Sequence, residues 1–265
     1  MKLDELRNIQ NESQRVNAIY ELFQEEHRLN RSPSARVEFL TTVRYIEQYL
    51  SPGQNILDLG AGTGEYSLHF AKKGFPVTAI ELATANVEAF RRKLSPDINI
   101  DLRQGDALDL SAFADNSFDV VLVFGPLYHL EKEKDRFRCI REAMRVCKPS
   151  GRLFFSFISN DMVILTELMY RPDFFLDDTY DHETFKVEDF PFVFFTVEQC
   201  REMLLDCGVK LLLAVASDGV SELMQDQIDR MDESSYAQYL RYHFYCCEKP
   251  EMLGRSNHLL FIGKK

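Results

Sequence analysis

The spacing of apolar positions changes along this chain. Val16, Ile19, Tyr20 and Phe23 recur at three- and four-residue intervals, and so do Phe39, Val43, Ile46 and Leu50. Each set is one stripe of an amphipathic helix. Ser32-Pro33-Ser34 separates the two, and Ser51-Pro52-Gly53 ends the second. From residue 56 the period shifts. Short apolar runs at 56–59, 77–80, 98–102, 118–124 and 152–158 predict strands, with helices expected at 65–73, 84–94 and 132–146. Run 118–124 is nearly all apolar, which suits a strand covered on both faces. Gly74, Ser95-Pro96 and Lys148-Pro149-Ser150-Gly151 supply the three helix stops. The βαβα rhythm predicts a parallel sheet with helices on both faces.

The second part is less regular. Residues 160–195 are rich in aromatics and acids. Thr196-Val197-Glu198 opens a capped helix that Gly208 closes, and 209–216 predicts a strand. Residues 217–251 look helical, and 258–262 form a last strand. The irregular stretches flank one helix–strand unit, so they read as caps inserted into a single domain. The expected organisation is an N-terminal helical lid (1–50), a ligand-binding core (51–158), a cap (159–195), a core helix and strand (196–216), a second cap (217–251) and the final strand (252–265).

Composition narrows the function. The chain has 265 residues, 45% of them hydrophobic and 28% charged, enough apolar matter for a sizeable core. Forty-two acids against 31 bases leave a net charge of −11. That balance argues against a nucleic-acid substrate, because phosphate binding needs clustered Lys and Arg. No apolar run reaches the ~18 residues of a membrane span, and residues 1–10 lack a signal-peptide core. The six cysteines form no C-x-x-C pair, so reduced thiols in a cytoplasmic protein are expected, without a cysteine metal site.

The informative segment is Asp58-Leu59-Gly60-Ala61-Gly62-Thr63-Gly64-Glu65, which follows a strand and opens a helix. Glycines there permit a tight turn and a close approach of ligand to main chain. Glu81 ends the second strand 21 residues after Gly60, where a carboxylate can accept both hydroxyls of a ribose. Glu65 at the helix entrance would repel a pyrophosphate, and the loop holds no Lys or Arg. An adenosine cofactor without phosphates fits best.

These residues resemble motif I of the class I S-adenosylmethionine-dependent methyltransferases, most closely bacterial small-molecule members. Gly105-Asp106-Ala107 is similar to the family's adenine-edge motif. Residues 117–121 with Phe124-Gly125-Pro126-Leu127-Tyr128-His129-Leu130 resemble strand four and the loop facing the methyl donor, and 141–151 resemble the helix and turn before strand five. The resemblance implies a Rossmann-like α/β fold whose seven-stranded, mostly parallel sheet has its last strand antiparallel, with helical cap insertions. It implies S-adenosylmethionine as cofactor and S-adenosylhomocysteine as product. It assigns cofactor binding to Asp58, Gly60, Ala61, Gly62, Thr63, Gly64, Glu81, Leu82, Gly105, Asp106, Ala107, Phe124 and Gly125. In it the methionine amino group meets carbonyls near Gly60, and Asp58 acts through water or by holding the loop.

Methyl transfer from a sulfonium is an in-line displacement, so the protein chiefly aligns the reactants, and a base is needed only where the acceptor must lose a proton. His129, just past strand four, is the candidate base, and Tyr128 the candidate to line the methyl site. His182 and His243 fall in the caps, where surface exposure is expected. Arg36 and Arg44 are candidates to meet a carboxylate. Packing is expected for Cys246-Cys247 and for the Phe-rich stretch 185–195, and solvation for the acidic runs, whose sharper alternative is steering of a cationic acceptor. The strand-four end reads Phe124-Gly125-Pro126-Leu127, without the Asn/Asp-Pro-Pro-Tyr or Pro-Cys of nucleic-acid amino- or cytosine-methylating enzymes. The expected activity is methylation of a small molecule, with no metal. The rival readings are a nicotinamide-dependent oxidoreductase on a related fold and a non-catalytic S-adenosylmethionine-binding protein.

Overall fold

The structure is a computed structural model that describes residues 3–22, 26 and 28–265. Phe23, expected in the first helical stripe, lies outside the described residues. After a 3₁₀ turn at Leu3–Asn8 come helices α1 (Glu12–Leu22) and α2 (Pro33–Glu47). The core then runs β1 (Ile56–Leu59), α3 (Glu65–Lys72), β2 (Val77–Glu81), α4 (Thr84–Lys93), β3 (Ile100–Gln104) and β4 (Phe118–Val123). It continues through α5 (Pro126–His129), α6 (Glu133–Val146) and β5 (Cys147–Ser159). Next are α7 (Asn160–Tyr170), a 3₁₀ turn (Phe174–Leu176), β6 (Phe194–Phe195), α8 (Val197–Asp206) and β7 (Lys210–Ala216). The chain closes with α9 (Gln225–Ile228), α10 (Glu233–Cys246), α11 (Pro250–Leu253) and β8 (His258–Lys264).

The strands pair in the order β3-β2-β1-β4-β5-β8-β7, with two-residue β6 added beside β5. Pairs from β3 to β5 are parallel, and β8 is antiparallel to both β5 and β7. The sheet is therefore the expected seven strands plus one short addition. Its centre is dry: Leu57, Leu59 and Val120 to Val123 are fully buried. The outer strand β3 carries Asp101 and Arg103, joined to each other, so charge guards that edge. The sheet order reverses between β1 and β4, and the crevice beyond their carboxyl ends is the natural ligand position.

Local sequence explains most boundaries. Ser32 caps α2 by accepting the Ala35 N–H at 3.3 Å, with Pro33 in the first turn. Thr196 and Gln199 form a reciprocal capping box on α8. Two expectations shift. Strand β3 lies two residues later than its apolar run, because Val77 pairs with Ile100 and Ile98 turns back to Ser95. Lys148-Pro149-Ser150-Gly151 does not precede β5 but lies within it. The register against β4 jumps between Phe118↔Cys147 and Val120↔Arg152, so the residues read as a stop form a bulge.

The 217–251 segment folds onto α2. Thr41 bonds His243 Nε2 at 2.9 Å, and Tyr45 bonds Glu248 at 2.6 Å. His243 is thus buried between helices rather than exposed as expected, and burial holds its pKa below the usual imidazole value. Cys246 and Cys247 are buried packing residues, with burial raising both thiol pKa values. A second apolar cluster, including Ile158, Ile164, Phe174, Tyr180 and Phe194, holds the 159–195 segment together. Among the described residues, no helix is long and apolar enough to cross a membrane.

Candidate functional site

The glycine loop turns through three left-handed residues, Gly60, Gly62 and Gly64, at φ +74°, +56° and +88°. Two of these glycines are required by the protein itself. A Cβ on Gly60 would lie 2.7 Å from the Phe124 carbonyl oxygen, and one on Gly64 2.4 Å from the Phe90 ring. Gly60 and Ala61 N–H groups donate to the Ile80 carbonyl, so the loop is laced to β2.

Glu81 completes that lacing. Its carboxylate accepts from Gly62 N–H at 2.7 Å, Ala83 N–H at 2.8 Å and the Asn86 side-chain amide at 3.3 Å. Lys93 reaches the Thr63 carbonyl from α4, but its charge is answered by Glu65 at 2.9 Å. Among the described residues, Lys93 at the helix entrance is therefore not left free for a phosphate.

Asp58 sits fully buried under the loop. The Ser67 hydroxyl donates to its Oδ2 at 2.7 Å, while Oδ1 has no partner. Burial raises its pKa to about 7; Ser67 opposes the shift and the Glu81 charge adds to it. Such an orphaned acceptor is a place for an incoming cationic donor.

Three cavities meet here. One of about 90 Å³ runs along Glu81, Leu82, Gly105, Asp106, Ala107 and Gly125. One of about 50 Å³ lies against Asp58, Ala61, Gly62, Thr63 and Phe124. Gly60 touches both. Gly64 lines neither and packs on Phe90. The third, about 710 Å³, lies beneath both caps. Tyr20, Arg28, Glu38 and Tyr128 belong to the walls of both the 50 Å³ and the 710 Å³ cavities, and Tyr20 reaches all three.

The residues expected at the methyl site separate. Tyr128 stands at the shared wall. His129 instead faces the 90 Å³ cavity and does not line the largest one. Its Nε2 bonds the Tyr20 hydroxyl at 2.7 Å, and Nδ1 is buried without a partner. Burial, helped by the Arg15 charge, lowers its pKa to about 3, so the ring is neutral. Arg36 and Arg44 line none of the cavities; Arg44 stacks on Phe244. Wall charges are largely paired: Arg7 with Glu188, Arg28 with Glu38, and Arg171 with Glu167.

Among the wall residues that sequence reasoning missed are Tyr20, Arg28, Glu38, Asp218 and His258. His258 Nδ1 lies 2.8 Å from Asp218 and 3.4 Å from Glu38. They come from three distant segments, so no local motif joins them.

A mostly parallel sheet with an antiparallel final strand and a glycine loop at its switch point is the frame of a nucleotide- or nucleoside-binding α/β protein. Residues 57–155 match a family described as a methyltransferase domain. The putative methyltransferase YqeM of Bacillus subtilis is 31% identical over 199 residues, 63% of this chain and 78% of that protein. The demethylmenaquinone methyltransferase of Renibacterium salmoninarum is 39% identical over 102 residues, 38% of this chain and 40% of its own, so that match spans less than half of the relative. A crystal structure of a SAM-dependent methyltransferase from Methanosarcina mazei superposes with a TM-score of 0.56 at 24% identity, covering 83% of this chain and 96% of that one. The chain belongs to the class I S-adenosylmethionine-dependent methyltransferases. The nicotinamide alternative is thereby set aside. The residues suit S-adenosylmethionine: a buried orphan carboxylate oxygen, a loop without Cβ atoms at its turns and, at the helix entrance, a Lys93 already answered by Glu65.

Proposed function

We propose that this methyltransferase acts on a small, largely aromatic acceptor held in the 710 Å³ cavity. The observation that carries the reading is the wall shared by Tyr20, Arg28, Glu38 and Tyr128, across which the two reactants would meet. In this reading Glu81 and Leu82 hold the ribose side, and Gly105, Asp106, Ala107 and Gly125 hold the base. Asp58, Gly60, Ala61, Gly62, Thr63 and Phe124 surround the methionine end, and the unpartnered Asp58 oxygen receives its ammonium group. Gly64 acts by shaping the loop.

When bound, the cofactor supplies a methyl group already activated by the positive sulfur. The chain's own part is alignment and exclusion of water. Tyr128 bounds the reacting centre, and Phe192 and Phe194 give the acceptor an apolar ring-binding wall. His129, neutral and bonded to Tyr20, positions the Tyr20 hydroxyl at the junction of the three cavities. The pairing of wall charges favours a neutral or singly charged acceptor over a polycation. The relative named for demethylmenaquinone methylation supports a quinone-like ring as the acceptor type.

Calorimetry with S-adenosylhomocysteine tests the cofactor half, and labelled-methyl transfer to a panel of phenols, hydroxyquinones, amines and aliphatic carboxylates tests the acceptor half. Turnover confined to amines or aliphatic carboxylates would refute the aromatic assignment.

A further inference from the structure

His258 opens β8 on the wall of the large cavity. Asp218, just after β7, accepts the imidazole Nδ1–H at 2.8 Å, the Ser256 hydroxyl at 2.6 Å and the His258 backbone N–H at 3.1 Å. Glu38 of α2, itself bonded by Arg28 at 2.6 Å, faces the same ring nitrogen at 3.4 Å. Both carboxylates are buried, each residue 8% exposed. With Nδ1 fixed between them, Nε2 is the ring atom left to meet a molecule in the cavity. It bonds no protein group among the described residues and is not sealed from the cavity. An imidazole oriented through Nδ1 by a buried carboxylate presents Nε2 in a fixed direction.

We propose that His258, oriented by Asp218 and Glu38, receives the acceptor's oxygen, and that the acceptor is a small aromatic or enolic molecule with an acidic hydroxyl, bound as its oxygen anion. The proposal deepens the reading of the large cavity as the acceptor chamber and rests on it.

The cluster has the right position. Glu38 and Arg28 also wall the 50 Å³ cavity, so the imidazole stands beside the boundary between the two reactants. It has the right charge. Burial alone would lower the imidazole pKa, but Glu38 and Asp218 outweigh it and raise the value to about 9, so the ring is a cation at neutral pH. The other charged groups on this wall are Arg7, Arg28, Arg31, Arg171, Glu167, Glu188 and Glu222, the last bonded to the Asn257 side chain. With His258 charged, the arginines and the imidazolium balance the five carboxylates, so the positive sulfur is the charge that an anionic acceptor answers. The ligand atoms of Glu38, Asp218 and His258 lie within 4.8 Å of one another, so a metal ion is the competing occupant; Arg28 on Glu38 and Ser256 on Asp218 favour the protonated imidazole instead.

The step balances. The acceptor hydroxyl yields its proton to water on entry, and its oxygen accepts the Nε2–H. An oxygen lone pair forms the bond to the methyl carbon, and the electrons of the broken carbon–sulfur bond remain on sulfur. One anion and one sulfonium become a neutral ether and a neutral thioether, while the imidazolium keeps its proton.

The probe is 4-nitrocatechol, whose visible absorption changes when its hydroxyl ionises, titrated into the full chain with S-adenosylhomocysteine. The protein should draw the probe into its anionic form, and that binding should fade as the imidazolium loses its proton near pH 9. H258N should weaken probe binding about 10-fold or more while leaving S-adenosylhomocysteine affinity within about twofold. E38Q should move the alkaline loss of probe binding to lower pH, and it decides the matter alone if H258N does not fold. Any of three results overturns the proposal: the wild type binds S-adenosylhomocysteine but not the probe; H258N and wild type bind the probe equally; or EDTA abolishes probe binding and Mg²⁺ restores it. Failure of the wild type to bind S-adenosylhomocysteine would instead overturn the cofactor reading beneath it.

Discussion

Asn in place of Asp58 should make the folded protein more stable at neutral pH and less able to hold its cofactor. The carboxyl group is fully buried, with one oxygen bonded by Ser67 and the other unpartnered. Its pKa is raised by burial from 3.8 to about 7. Below pH 4 both folded and unfolded chains carry the proton, and the group contributes nothing. Between pH 4 and 7 the unfolded chain sheds the proton while the folded one keeps it. The unfolded state then binds fewer protons, so stability falls as pH rises. About three pKa units at 1.36 kcal/mol each amount to roughly 4 kcal/mol once pH exceeds 7. D58N cannot ionise, so its stability relative to wild type should climb by several kcal/mol from about pH 4 to about pH 8. The chain has no Trp, so urea unfolding is best followed by far-ultraviolet dichroism. Because only the difference between the proteins is read, titrations of groups not coupled to Asp58 cancel, and Glu81 is the coupled group. A difference flat with pH to within about 1 kcal/mol would refute the reasoning. S-adenosylhomocysteine should protect wild type more than D58N, since its ammonium group offsets the buried charge.

Three further outcomes are expected. E81A removes the acceptor for Gly62 and Ala83 N–H groups as well as the proposed ribose contact; cofactor affinity should fall about 10- to 100-fold by calorimetry, and an unchanged value would contradict the assignment. G64A forces a methyl group into the Phe90 ring at a left-handed residue; it should lower stability by roughly 1–3 kcal/mol in thermal melts, with wild-type stability counting against the packing role. Y20F removes the hydroxyl that bonds His129; it should loosen cofactor binding several-fold with little loss of stability, and identical affinity would show that this bond does not hold α1 in place.

The core was legible because its signals are local. The apolar runs of β1 and β4, the stop at Gly74 and the Thr196 cap each act within a few residues, and the loop from Asp58 to Gly64 carries its own turn chemistry. The β5 bulge was not, since Lys148-Pro149-Ser150-Gly151 ends a helix and bends a strand with the same residues, and only pairing with β4 decides. The acceptor wall was least legible. His129 looked like the reactive histidine because it follows strand four, yet α5 turns it toward Tyr20. His258 lies in a strand whose alternation gives no sign of chemistry, and its partners stand 40 and 220 residues away in sequence.

Helix α1 walls the 90 Å³ cavity, the proposed nucleoside site, with Ser13, Val16 and Tyr20. It is fastened by Tyr20 to His129, by Asn17 to the Thr84 N–H and by Arg15 to Glu131, over a small satellite cluster of Leu6, Ala18 and Ile19. Beneath it lies the cavity of about 90 Å³ along Glu81, Leu82 and Gly105. On the proposed cofactor assignment, these few contacts are the ones that would have to part for the nucleoside to exchange. Were exchange of spent for fresh nucleoside the slow step, turnover would lengthen as the medium thickens.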